Sequence, residues 1–144
     1  AGGRFGIGSD SNISVGPVAE LQCLEYGQRV VTGRRVRGRG DTTDPRHVGA
    51  ELWRGALAGG AQALGRPIGS ISPGCRADIV LLDGDHPSLT ARCGDALIDG
   101  WIFAAGENPV RHVMVGGDWV IRDGRHRLET EIAERYREVV ACLR

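Results

Sequence analysis

The sequence predicts an α/β fold in which two different parts are followed by a closing helix. Three observations predict it. The first third contains a short apolar segment and then two stretches with helical periodicity. From Ile68 onward, short β-type apolar runs alternate with turn dipeptides, and the last residues carry a helical apolar stripe. With 144 residues, the chain is too short for a complete eight-stranded α/β barrel, which needs at least about 200.

The first predicted elements are a short buried strand and a helix. The strand covers Arg4–Gly8, where glycines beside two apolar side chains permit close packing. The helix begins at Pro17, because proline is favoured at the first helical position, and it ends by Gly33. Its predicted core face consists of Val18, Leu21, Leu24 and Val31.

A second helix is predicted to begin at Asp44–Pro45, with the aspartate as N-cap, and to end at Gly65. Glycine inside a helix costs about 1 kcal/mol relative to alanine. A helix that tolerates several glycines is therefore expected to press its backbone closely against another segment. The interior glycines are Gly55, Gly59 and Gly60.

The remaining elements are a buried strand at Ile79–Leu82, a short helix at Asp95–Ala105 and a hairpin. The hairpin pairs Val113–Val115 with Trp119–Ile121, because the glycines between them favour a tight turn. A closing helix is indicated by apolar residues at helical spacing, namely Ile132, Tyr136, Val139, Val140 and Leu143.

Composition excludes several classes of function. All eighteen basic residues are arginine, so a Schiff-base lysine and a P-loop lysine are excluded. Eighteen acidic residues balance them, which predicts neither a nucleic-acid partner nor a membrane partner. The arginine-rich stretch at 33–40 is predicted to be a solvated loop.

Three features of the sequence indicate where the protein is located and whether the sequence is part of a longer chain. The four cysteines have neither disulfide nor zinc spacing and are expected to be reduced and mostly buried. With no leader and no apolar run of membrane length, the sequence predicts a cytoplasmic protein. The strand-like start at Ala1 suggests an interior cut of a longer chain.

Asp10 is the leading candidate for a site residue. It follows the first strand, and α/β folds place catalytic groups just beyond the carboxyl ends of parallel strands. An aspartate before a helix is more often a cap or turn residue, so position alone favours that structural role over a catalytic one. The four histidines lack metal-ligand spacing, and no serine stands in a nucleophile elbow. These patterns alone contain no complete active site.

Three stretches resemble the metal-dependent amidohydrolase superfamily. Residues 5–11 (FGIGSDS) are similar to its last barrel strand, and residues 69–83 (GSISPGCRADIVLLD) to its return into a small β-sandwich. The hairpin at 113–124 matches the element that usually follows. The stretches at 24–29, 58–66 and 95–104 resemble a branch that releases ammonia from a formimidoyl group.

The resemblance implies that the chain holds the last strand and helices of a (β/α)₈ barrel, part of an accessory β-sandwich and a C-terminal helix. The corresponding ranges are 1–66, 67–126 and 127–144. It further implies one divalent metal, zinc, in the full-length enzyme, and hydrolysis of a small-molecule substrate. Whether that full-length enzyme forms a homodimer is left open. Asp10 matches the aspartate that ligates the metal and handles the proton of the attacking water, and Ser9 and Ser11 are candidates to orient it.

The other metal ligands of the superfamily belong to earlier strands, which this sequence does not contain. The isolated chain is therefore expected to be inactive, because a catalytic zinc site needs about three protein ligands. Two alternatives stay open. The parent enzyme could act on another amine of the guanine, cytosine or triazine type, or the chain could be a non-catalytic assembly module.

Overall fold

The computed structural model describes residues 3–10, 15–33 and 47–143, which hold four α-helices and one four-stranded antiparallel sheet. Contacts divide the chain into two compact units. Unit 1 comprises Ala1–Cys75 and Asp83–Pro109, and unit 2 comprises Arg76–Leu82 and Val110–Arg144. The domain boundaries at 66 and 126 stay predictions. Across the described ranges, none of the helices has the length and apolarity needed to cross a membrane.

Helix α1 spans Pro17–Thr32 and confirms both predicted ends. Proline stands in its first turn, and Gly33 adopts a left-handed conformation with φ of 62°, donating its N–H to the Arg29 carbonyl. The predicted core face is only partly correct. Leu21 is fully buried, whereas Leu24 and Val31 are 37% and 80% exposed. Helical spacing identified the face, but whether a residue is buried depends on what covers it.

Helix α2 spans Val48–Leu64 and receives its N-terminal cap from another helix. The predicted cap, Asp44–Pro45, lies outside the described residues. The Ala50 N–H donates to Asp99 Oδ1 at 3.1 Å, and His47 Nδ1 lies 2.8 Å from Asp99 Oδ2. A carboxylate at this position satisfies a free helix N–H and complements the helix dipole. The tertiary contact therefore replaces a local cap.

Asp99 belongs to helix α3, which spans Asp95–Phe103 and packs against α1 and α2. The Trp53 and Trp101 rings meet edge to face, with centroids 4.7 Å apart. The core of unit 1 is a cluster of apolar side chains contributed by all three helices, namely Leu21, Val48, Leu52, Ala56 and Ile102.

The sheet of unit 2 confirms the predicted strand and hairpin. Its strands are β1 (Ile79–Leu82), β2 (Val110–Val115), β3 (Asp118–Arg122) and β4 (Arg125–His126), and each pairs antiparallel with the next. Both hairpin turns have two central residues with positive φ, as tight turns between twisted strands require. These residues are Gly116 (62°), Gly117 (94°), Asp123 (48°) and Gly124 (75°).

Helix α4 spans Glu129–Cys142, but its predicted apolar stripe forms no core. None of its residues is buried, and the stripe is exposed by 54% at Ile132, 68% at Tyr136 and 80% at Leu143. The prediction of mostly buried cysteines is also wrong. All four are free thiols; Cys75 is half-buried and the other three are exposed, because the faces that carry them have no covering element among the described residues.

The cap on α2 gives a testable prediction. We expect Asp99→Ala to lower the free energy of unfolding by about 1–2 kcal/mol, because the Ala50 N–H loses its acceptor and His47 its hydrogen-bond partner. The measurement is urea unfolding followed by far-UV circular dichroism.

Asp95→Ala is the matched control in the same helix. Asp95 pairs with Arg54, whose side chain is 53% exposed, so its loss should cost no more than about 1 kcal/mol. Equal destabilisation by the two variants would contradict the capping role of Asp99.

Candidate active site

The segment that carries Asp10 runs over the surface of α2. Exposure alternates from Phe5 to Asp10, as it does in a strand, with Phe5, Ile7 and Ser9 turned inward. The segment joins no sheet in the described part of the chain, so the prediction of a strand at Arg4–Gly8 is not met. A β-strand is defined by backbone hydrogen bonds to an adjacent strand, and no described segment pairs with this one.

Glycines of α2 allow this segment to approach the helix backbone. A Cβ atom placed on Gly59 would lie 1.8 Å from the Phe5 carbonyl oxygen, which no real contact allows. A Cβ atom on Gly55 would lie 2.7 Å from the Phe5 ring, whereas one on Gly60 would meet nothing within 4 Å. The predicted close packing is thus confirmed for two of the three glycines.

Side chains at the start of the segment hold it in place. The Phe5 and Ile7 side chains pack against the apolar core of unit 1. Arg4 Nη1 donates to Gln62 Oε1 at 3.2 Å near the end of α2. The segment is therefore held by its apolar side chains, one exposed hydrogen bond and the glycine contact.

At its far end, the segment is joined to helix α1. Ser9 Oγ accepts a hydrogen bond from the Gly16 N–H at 3.3 Å. The next residue, Asp10, is exposed and adopts a left-handed conformation with φ of 44°. Aspartate tolerates this conformation better than most residues. The chain therefore turns at Asp10, with that residue at the surface of the turn.

The metal predicted for this site needs more ligands than the described residues supply. Among them, no group of three or more His, Cys, Asp or Glu side chains could hold a metal ion. An exposed carboxylate is a suitable zinc ligand, but catalytic sites require about three protein ligands. Ser11, the other candidate beside Asp10, lies outside the described residues. Asp10 can thus be at most one ligand of a larger set.

Sequence reasoning missed the contacts of two residues that hold the segment and helix α2 in place. It noted the helix glycines without identifying Phe5 as their partner, and it considered His47 only as one of four histidines without metal-ligand spacing. His47 and Asp99 are separated by 52 positions, and their pairing at the start of α2 has no local sequence signal. Only the packing of α3 against α2 brings them together.

Comparison with known proteins identifies a family. The model of the Amidohydrolase family matches residues 1–120. A formimidoylglutamate deiminase from Pseudomonas aeruginosa is 52% identical over 142 residues, a match that covers 99% of this chain and 31% of that protein. The chain therefore spans about a third of the length of this curated relative.

Solved structures give the same result. An amidohydrolase from Brucella melitensis superposes with a TM-score of 0.81 at 38% identity, covering 99% of this chain and 30% of that one. An adenosine deaminase from Xanthomonas campestris with bound zinc has a TM-score of 0.67 at 22% identity, covering 94% of this chain and 30% of that one. At that identity, the second structure supports the fold alone. The predicted fold class, a partial amidohydrolase fold, is confirmed.

The glycine contact is testable with two neighbouring substitutions. We expect Gly59→Ala to displace the segment, because the added methyl group would overlap the Phe5 carbonyl. Trypsin cleavage after Arg4 should then be faster, and the free energy of unfolding should fall by about 1–3 kcal/mol.

Gly60→Ala is the control, one residue along the same helix. Its methyl group meets open space, so we expect unchanged cleavage and a gain in unfolding free energy of up to about 1 kcal/mol. Similar behaviour of the two variants would disprove the close approach at Gly59.

Proposed function

This chain belongs to the amidohydrolase family, and we propose that it forms part of a formimidoylglutamate deiminase. The proposed reaction adds water to the formimidoyl carbon of N-formimidoyl-L-glutamate, breaks its bond to the terminal nitrogen and releases ammonia. N-formyl-L-glutamate is the other product, and the reaction is a step in histidine degradation. The 52% identity to the Pseudomonas aeruginosa enzyme, over 99% of the chain, is the observation that carries this proposal.

The chain matches only part of this relative, so its residues are not proposed to carry out the reaction by themselves. The chain corresponds to 31% of that enzyme, and its described residues include no group that could hold a metal ion. The remaining part is therefore proposed to contribute most of the active site. In this proposal, the chain supplies the segment with Asp10, the helices that support it and part of an accessory β-domain.

Asp10 is proposed as both a metal ligand and the group that moves the proton. A carboxylate beside the attacking water can accept its proton and deliver it to the leaving nitrogen, which departs as ammonia. Exposure at the end of the segment supports this role, since the carboxylate needs access to water and substrate. A zinc ion bound there would lower the pKa of the attacking water towards about 7.

Ser9 is proposed as a positioning residue. Its hydroxyl bonds to the Gly16 N–H, so it holds the end of the segment against the start of α1 and limits movement of Asp10. Ser11 keeps its predicted orienting role, although it lies outside the described residues. A cytoplasmic location is also proposed and is supported by the four free cysteines. A homodimer of the full-length enzyme stays a prediction.

The role of Asp10 is tested in the full-length enzyme that contains these residues. We expect Asp10→Asn to lower kcat by at least about 100-fold on formimidoylglutamate, because the amide can no longer accept the proton. Ammonia release measures activity, and metal analysis of the dialysed enzyme measures ligation.

Ser9→Ala is the comparison variant, with a smaller expected loss, because the carboxylate stays in place. If Asp10→Asn keeps full activity, the proposed role of Asp10 is wrong. Faster turnover of guanine, cytosine or a triazine than of formimidoylglutamate by the unmodified enzyme would instead refute the proposed substrate.

The 144-residue chain by itself gives a further prediction. We expect no ammonia release from formimidoylglutamate and less than stoichiometric zinc after dialysis, because Asp10 alone cannot hold the metal at useful affinity. Stoichiometric zinc or measurable turnover would show that these residues form a complete site.

A further inference from the structure

Two arginines face each other across the last hairpin of unit 2. Arg122 of β3 and Arg125 of β4 are register partners on either side of the Asp123–Gly124 turn. Like charges directly opposite each other destabilise an antiparallel pair. A negative group bound near the two side chains would relieve this repulsion.

Trp119 contributes to holding one of these arginines. The Arg122 guanidinium lies over the Trp119 ring, 5.8 Å from its centroid, and the edge-to-face contact of that ring with His112 has a centroid distance of 5.7 Å. A cation over an indole face is attracted electrostatically. The Arg122 side chain is thus partly ordered before any ligand binds.

The acidic side chain of the turn is already engaged. Asp123, in the turn itself, accepts a hydrogen bond from Arg111 Nε at 3.3 Å and lies 3.9 Å from His112 Nε2. Within the described part of the chain, neither Arg122 nor Arg125 has a carboxylate at ion-pair distance. The positive charge between β3 and β4 is therefore not neutralised by these residues.

The same two arginines line a cleft of about 510 Å³, together with Trp119, Arg127 and Asp118. Three guanidiniums and one carboxylate give the lining a formal charge of +2 (three minus one). Its volume is within the range of about 300–1,000 Å³ typical of small-molecule sites.

We propose that this cleft binds a small anion with two neighbouring oxyanion groups, such as a diphosphate or a polycarboxylate. Guanidinium groups match phosphate and carboxylate oxygens through paired N–H donors, and two arginines that line one cleft suit a ligand with two such groups. None of the lining residues belongs to the segment with Asp10.

The test is isothermal titration of the 144-residue chain with inorganic pyrophosphate and, separately, with citrate. We expect saturable binding of at least one of them, and the tighter ligand distinguishes the phosphate source from the carboxylate source. Affinity should fall as salt rises from 50 to about 200 mM, because the charges are exposed and screened. A bound anion should also raise the urea midpoint of the chain.

Charge reversal locates the site. Arg125→Glu should weaken binding at least about tenfold, since hydrogen bonds between charged groups are lost. Arg125→Lys keeps the charge and should weaken it less. Arg137→Glu, on the exposed surface of α4, changes the net charge of unit 2 equally and should leave binding unchanged.

Absence of saturable binding by the unmodified chain to both anions overturns the proposal. The same conclusion follows if Arg137→Glu weakens binding as much as Arg125→Glu, because the effect would then reflect net charge alone. Neither measurement depends on deiminase activity, so the proposed function and this anion site can fail independently.

Discussion

The contact between the Phe5 carbonyl and Gly59 is the constraint on which the candidate site depends. Both partners in this contact are backbone atoms. A side chain added at position 59 would therefore overlap the Phe5 carbonyl, and no flexible side chain could move aside to make room for it. Phe5 then reaches the apolar core, and the chain continues through Ser9 to the turn at Asp10. The helix carries poor helix-forming residues because their missing side chains allow this approach. The glycines thus lower the intrinsic stability of α2, but they allow the segment that bears the proposed catalytic carboxylate to pack against it.

Helix α3 also supports α2. Asp99 accepts from the Ala50 N–H and pairs with His47, so the start of α2 is stabilised by a residue far along the chain. Trp53 and Trp101 add an aromatic contact between the same two helices. The helix that receives Phe5 is therefore held at its N-terminal end by polar contacts and along its length by apolar ones.

Several large apolar side chains are exposed, as expected of a chain that matches only part of its relative. Val30 and Val31 on α1 are 84% and 80% exposed, and Tyr136 on α4 is 68% exposed. Large apolar surfaces on soluble proteins usually mark contacts with other segments. The chain matches 31% of a formimidoylglutamate deiminase, and in the proposed full-length enzyme the remaining part would cover such faces.

Local chemistry in the sequence determined much of the secondary structure by itself. Pro17 and Gly33 predict the ends of α1, and the glycines between β2 and β3 predict their hairpin, because proline and glycine restrict or widen φ at single positions. The sequence also singled out Asp10, through its place in a motif, but not its left-handed backbone. Only the tertiary structure decided that Phe5 meets Gly59, that Asp99 caps α2 and that Val31 stays exposed. These outcomes depend on which distant segment packs nearby, and periodicity along one element carries no information about its partner.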